Sequence, residues 1–397
     1  MKKLYISIAL LFAVMNAVAQ GAWTQKADFG GSGRYGAIGF SIDTMGYIST
    51  GIDATSLNND LWEWNATNNI WTQKADFPGV VRRHPVAFVI GNKGYLGTGT
   101  NTGGTSYYND FYKFDPAGNT WTAIANFGGT PRFGAVAFAI GTKGYVGTGK
   151  DIASVTKDFW MYDTITGAWT QKTDFGGAAR VRATGFAIPD SGKGYIGTGT
   201  ISPTGPYYKD FWEYDTLTDA WTQKTDFGGT ARKSAVGLSV GILGYIGTGN
   251  DGADKKDFWE YDLSGDTWTA KANYGGAIRH CASGFSIGTK AYIGTGIGAS
   301  YLKDFWEWDP AAAYVSEIPE NPVVNLFPNP VVSELTIEIP DIKESQKIEI
   351  LNSTGQIVYS SIAGFRKVVN MSDFPSGIYL VKQTSKAGIA VKKIVKQ

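Results

Sequence analysis

From Trp23 onward, apolar residues alternate with polar ones in short runs broken by Gly, Asn or Asp, which predicts short strands joined by turns. The third copy of the pattern shows the parts. An inner strand spans residues 135–140, a turn leads to Gly-Tyr-Val-Gly-Thr-Gly at 144–149, and a variable loop leads to Asp-Phe-Trp-Met-Tyr-Asp at 158–163. A Trp-Thr strand at Trp169 follows. This unit of about fifty residues recurs with Trp23, Trp71, Trp121, Trp169, Trp221 and Trp268 as its markers. Four antiparallel strands make one blade, so the expected fold is all-β: a six-bladed propeller with a small β-sandwich after it. The last repeat ends at Asp309 without a Trp-Thr strand of its own. Trp23 is therefore expected to complete the sixth sheet and close the ring.

Aligned copies place an arginine eleven residues after each marker Trp: Arg34, Arg82, Arg132, Arg180, Arg232 and Arg279. An aspartate opens every third strand: Asp60, Asp110, Asp158, Asp210, Asp257 and Asp304. In a four-stranded blade the loops carrying these two sets share one face. Arginines crowded without counter-charges would repel by about 4 kcal/mol per close pair at intermediate dielectric, so a structural Arg-Asp girdle is the expected arrangement, with an anion-binding ring as the alternative.

Structure demands sameness across copies, whereas a binding site needs particular residues at particular places. The residue after each arginine varies, as Tyr35, Arg83, Phe133, Val181, Lys233 and His280. So does the next: Gly36, His84, Gly134, Arg182, Ser234 and Cys281. The loops after the second strands add Tyr107, Tyr108, Tyr207, Tyr208 and Tyr301. Tyr35, Arg83, His84, Phe133, Arg182, Lys233, His280 and the five loop tyrosines are the candidate ligand-binding residues, because aromatics beside cations on a concave rim suit a glycan face.

Composition narrows the chemistry. A net charge of +1 argues against nucleic acid as a partner. Two histidines and one cysteine are too few for a zinc site, and no nucleophile-base spacing or phosphate-gripping loop appears, so the sequence nominates no catalytic, metal or cofactor residues. Glu63, Glu213, Glu260 and Glu307 recur at one position in four blades, and repetition favours structure over catalysis. Residues 1–19 combine Lys2 and Lys3, an apolar stretch too short to span a bilayer, and Ala17-Val18-Ala19, the form of a secretory signal. Residues 20–310 form the propeller and 311–324 read as a linker. In the remaining 325–397, strands are expected at 334–339, 347–351, 356–359 and 377–381.

The repeats, with a glycine-rich second strand, an aromatic third strand and a fourth-strand Trp, resemble the kelch family, although Gly-Thr-Gly stands where that family has paired glycines. The tail, with Pro328-Asn329-Pro330, Gly377-Ile378-Tyr379 and a basic end containing Lys392 and Lys393, is similar to the sorting domain of type IX secretion in Bacteroidetes-like bacteria. That resemblance implies export to the surface or the medium and contact with the secretion machinery. The kelch resemblance implies the propeller fold, and the aromatic and cationic rim, with no catalytic constellation beside it, leads to the expectation of a non-catalytic recognition module for carbohydrate or protein. The alternative is an exported sugar-modifying enzyme in the same ring, similar to a kelch-like mutarotase or, further off, a copper oxidase.

Overall fold

The structure, a computed structural model of the 397-residue chain, describes residues 21–188, 191–312, 324–339, 346–352, 356–385 and 388–397. The expected signal at 1–19 and most of the linker, 313–323, lie outside the described residues. The chain divides into two compact units, 1–314 and 315–397.

In the first unit, six four-stranded antiparallel sheets stand around an axis in a propeller arrangement. Blade one is formed by Ile38–Ile42, Met45–Ser49, Leu61–Asn65 and Ile70–Lys74 in sequence order. Blades two to five repeat that order, and the inner strands pack side by side into a closed circuit. Blade six differs. Its inner three strands, Ser283–Ile287, Lys290–Gly294 and Phe305–Asp309, take Ala22–Gln25 as their outermost strand, with Trp23 opposite Trp308. The first strand of the described residues thus closes the ring.

Two latches hold neighbouring blades together. Each marker indole donates from Nε1 to a carbonyl of the preceding blade or its exit: Trp23 to Ala272, Trp71 to Ala27, Trp121 to Ala75, Trp169 to Ala125, Trp221 to Thr173 and Trp268 to Thr225, at 2.9–3.2 Å. Such bonds contribute about 1 kcal/mol each. The same rings meet the aromatics of that blade edge-on, as in Trp221 against Phe159 at 5.1 Å and Trp268 against Phe211 at 5.0 Å. Edge-to-face pairs add about 0.5–1.5 kcal/mol beyond area burial.

The departures from the repeat are compensated where they occur. The first glycine of Gly-Thr-Gly lies under a third-strand phenylalanine: a Cβ at Gly147 would sit 2.4 Å from the Phe159 ring. Blade one alone has Ser49 there, and its cross-strand neighbour is the smaller Leu61. Likewise a Cβ at Gly128 would strike Trp160 at 2.5 Å, whereas blade two has Pro78 at that position and Tyr112 in place of the tryptophan. Close packing makes these pairs change together.

The second unit is a sandwich. A three-stranded sheet, Asn325–Phe327, Glu334–Glu338 and Arg366–Asn370, accompanies a four-stranded sheet ordered Ile357–Ala363, Gln346–Leu351, Gly377–Ser385, Gly388–Lys396. Its core includes Leu335, Ile337, Ile348, Ile350, Val381 and Ile394. The strand at 366–370 lacks an alternating signature because, of its adjacent valines, Val369 is buried and Val368 is exposed.

Candidate functional site

The two charged rings meet on one face of the propeller. In blades one to five, arginine and aspartate pair through both guanidinium nitrogens, as in Arg132 to Asp158 at 2.6 and 2.8 Å and Arg180 to Asp210 at 2.7 and 2.6 Å. In blade six only Nη2 of Arg279 reaches Asp304, at 2.6 Å, and the other Asp304 oxygen has no partner among the described residues. Each arginine is at most 1% exposed. Its Nε donates to the carbonyl two residues back, and its Nη1 donates to the threonine carbonyl of Gly-Thr-Gly or its blade-one counterpart. That threonine is buried with φ of 57–64°, a left-handed conformation unusual for a β-branched residue, and the turn delivers its carbonyl to the arginine. A Phe or Tyr ring lies 4.7–5.0 Å beneath every guanidinium. Apart from that Asp304 oxygen the girdle's groups are paired with one another, and every guanidinium is held by its own aspartate and carbonyls, so a ligand finds no free donor fork in it.

Charge and hydrogen bonding act on the aspartates together. Burial alone would raise Asp158 and Asp257, but the arginine hydrogen bond and charge outweigh it and hold both carboxyls below the usual range. Glu63, Glu213, Glu260 and Glu307 are likewise engaged, each accepting a tyrosine hydroxyl, from Tyr47, Tyr195, Tyr245 and Tyr292, at 2.6–2.9 Å. Each also lies within 3.6 Å of a lysine.

The non-repeated residues gather at the axial mouth on the girdle side. Gly36, His84, Gly134, Arg182, Ser234 and Cys281 all have φ between 52° and 64°. Their backbones form a closed circuit in which each N–H donates to the carbonyl of the equivalent residue in the preceding blade, from Gly36 to Cys281 and round to Cys281 on Ser234, at 2.7–3.1 Å. This collar was not legible from sequence. Its only trace is the pair of glycines at Gly36 and Gly134, where positive φ is free of strain. Inside the collar, Gly36, His84, Gly134, Arg182, Ser234 and Cys281 line a cavity of about 140 Å³ that continues past Ala37, Ala135, Ala183, Ala235 and Ala282 into the channel.

Around the collar stand the residues just before it. Tyr35 stacks on Tyr301 at 5.8 Å, and Phe133 stacks on Tyr107 at 5.5 Å with rings 7° apart. Lys233 lies 5.2 Å over Tyr207 and donates to the Pro203 carbonyl. Arg83 donates to the Tyr35 hydroxyl and the Thr102 carbonyl. His280 pairs with Asp254 at 2.7 Å. Val181 is buried. Tyr108 and Tyr208 belong elsewhere: their faces cover the girdle arginines Arg82 and Arg180 at 4.4 Å.

The mouth carries an excess of positive charge. Among the described residues no carboxylate pairs with Arg83, Arg182 or Lys233, and Asp254 is taken by His280. Burial, followed by the charges of Arg182, Arg83 and His280, holds His84 well below the usual histidine value, so its imidazole is neutral at pH 7. Burial and then Arg182 also lower Lys233.

In the tail, the candidate sorting residues come together around the last strand. The Asn329 side chain donates to the Lys393 carbonyl at 3.2 Å and accepts from the Val395 N–H at 2.9 Å. Tyr379 is buried and donates to the Pro375 carbonyl at 2.9 Å. Pro328 and Pro330 flank Asn329, Gly377 opens its strand opposite Lys396, and Lys392 and Lys393 pair with Val381 and Leu380.

Comparison with known proteins separates the two units. No curated protein matches the chain. The solved structure of YjhT is similar over 70% of this chain and 95% of its own, with a TM-score of 0.60 and 16% identity, a likeness of fold. The family described as "Secretion system C-terminal sorting domain" matches residues 325–397. Those residues are therefore a sorting domain of type IX secretion, which exports the protein to the cell surface or the extracellular space.

Proposed function

We propose that the propeller is a kelch-like, non-catalytic recognition module, and that its ligand, a glycan before a protein, binds at the axial mouth beside Tyr35, Phe133, Tyr107, Tyr207, Tyr301, Arg83, Arg182 and Lys233. One observation supports this most. Repeated polar residues are consumed by one another in the girdle, whereas the residues that break the repeat collect around one cavity. On this reading residues 1–19 direct export across the inner membrane, 20–310 bind ligand, and 325–397 engage the type IX machinery and are then removed.

The sugar-modifying alternative requires a carboxylate free to act. The four repeated glutamates are tied to tyrosines and lysines, which favours binding over turnover. The test is a glycan array probed with the full chain, with and without copper, followed by incubation with each hit. Retention without chemical change supports recognition. Turnover of an acidic sugar, or an array without hits, overturns it.

A further inference from the structure

Arg182 is anomalous among the propeller's arginines. The six girdle arginines are each held by a carboxylate, and Arg83 spends its two terminal nitrogens on Tyr35 and Thr102. Arg182 is half-buried at the collar, its guanidinium 6.0 Å from the Phe133 ring, with no hydrogen-bond or ion-pair partner among the described residues. It lines the axial cavity together with His84, Ser234 and Cys281 from three other blades, which places it near the axis. Beside it in the cavity wall, His84 Nε2 and Ser234 Oγ are buried without partners among the described residues, and at the rim so is Arg83 Nε. Buried polar atoms left unpaired cost free energy that a bound group recovers.

We propose that this axial pocket binds a single oxyanion, with the free Arg182 fork as its principal grip, Ser234 and His84 as hydrogen-bond donors, and Lys233 and Arg83 as flanking charges. A guanidinium fork matches the paired oxygens of a carboxylate, sulfate or phosphate, and uncompensated neighbouring cations make an anion the favourable occupant. The volume of about 140 Å³ admits one such group with little more, so the rest of the ligand lies outward against Tyr35, Phe133 and the loop tyrosines. This deepens the recognition reading by assigning a charge to the end of the ligand that enters the channel.

The test is isothermal titration of the full chain with glucuronate, inorganic sulfate and inorganic phosphate, at ionic strength held constant with chloride. Saturable one-site binding of at least one anion is expected. Arg182→Gln should weaken it at least about tenfold, since it removes a two-bond charged contact. Lys209→Gln, which removes an exposed cation elsewhere on the propeller, should leave it unchanged. The preferred anion identifies the source as a carboxylate, sulfate or phosphate. Fluorescence melts establish that Arg182→Gln is folded. No saturable heat with any of the three, or equal affinity in Arg182→Gln, overturns the inference. Anion binding without glycan binding retires the recognition reading alone, whereas glycan binding indifferent to Arg182→Gln retires the anion pocket alone.

Discussion

The girdle yields a sharp test because one of its six pairs is built differently. Asp158 accepts from Arg132 at 2.6 and 2.8 Å and from the Trp160 indole at 2.8 Å, so both oxygens face donors. Asp158→Asn removes the counter-charge of an arginine only 1% exposed and turns an amide N–H₂ toward a donor. Breaking a buried pair from one side costs about 3–5 kcal/mol. Asp304 accepts from Arg279 and Trp306 through one oxygen, and its other oxygen has no partner among the described residues. Asp304→Asn can turn its amide nitrogen to that vacant side and retain both bonds, so its cost should be smaller by the about 1–3 kcal/mol of an unsatisfied buried group. Urea unfolding followed by tryptophan fluorescence measures this in the full chain, because all thirteen tryptophans lie in the propeller repeats. Equal costs for the two variants, or a cost under about 1 kcal/mol for Asp158→Asn, would refute the saturated-girdle argument.

Ring closure predicts that Trp23→Ala, which loses the Phe258, Tyr274 and Trp308 contacts and the bond to Ala272, costs about 3 kcal/mol, the lower end for a large aromatic because the ring is half-buried. An unchanged urea midpoint would leave the first strand without a structural role. Acid should act in two stages. His84 has a folded pKa below its unfolded value of about 6.5, so the unfolded chain takes up that proton first and stability begins to fall below about pH 6.5. Asp158 and Asp257 are depressed carboxylates whose contribution is complete above about pH 4 and lost below it, so the decline should steepen there. A urea midpoint constant from about pH 7 to 3 would contradict both.

Much of the architecture was legible because a repeat turns one observation into six. The recurring Arg and Asp signalled their pairing, and the missing final Trp-Thr strand indicated which segment closes the ring. Legibility ended where contacts cross from blade to blade through the backbone. The collar is made of amide groups that every residue possesses, and only its torsion angle, accommodated by glycine at Gly36 and Gly134, left a mark. The loop tyrosines show the same limit within a single dipeptide. Tyr107 turns to Phe133, and its neighbour Tyr108 covers Arg82, so adjacent identical residues divide between the mouth and the girdle.

That division explains how one fold supplies both rigidity and a site. A propeller built only of matched pairs would be stable and chemically silent at its axis, since each donor would have its acceptor. Arg182 occupies a collar position where two other blades have glycine, and its backbone keeps the circuit, donating to Gly134 and accepting from Ser234. Arginine there keeps the hydrogen-bonded circuit in a left-handed conformation that glycine adopts without strain, and it leaves a guanidinium with no partner among the described residues at the channel. Because stability is distributed over six latches and six ion pairs, the collar side chains are free to vary, and under the proposed recognition function the ligand would be specified by the residues that the architecture does not require.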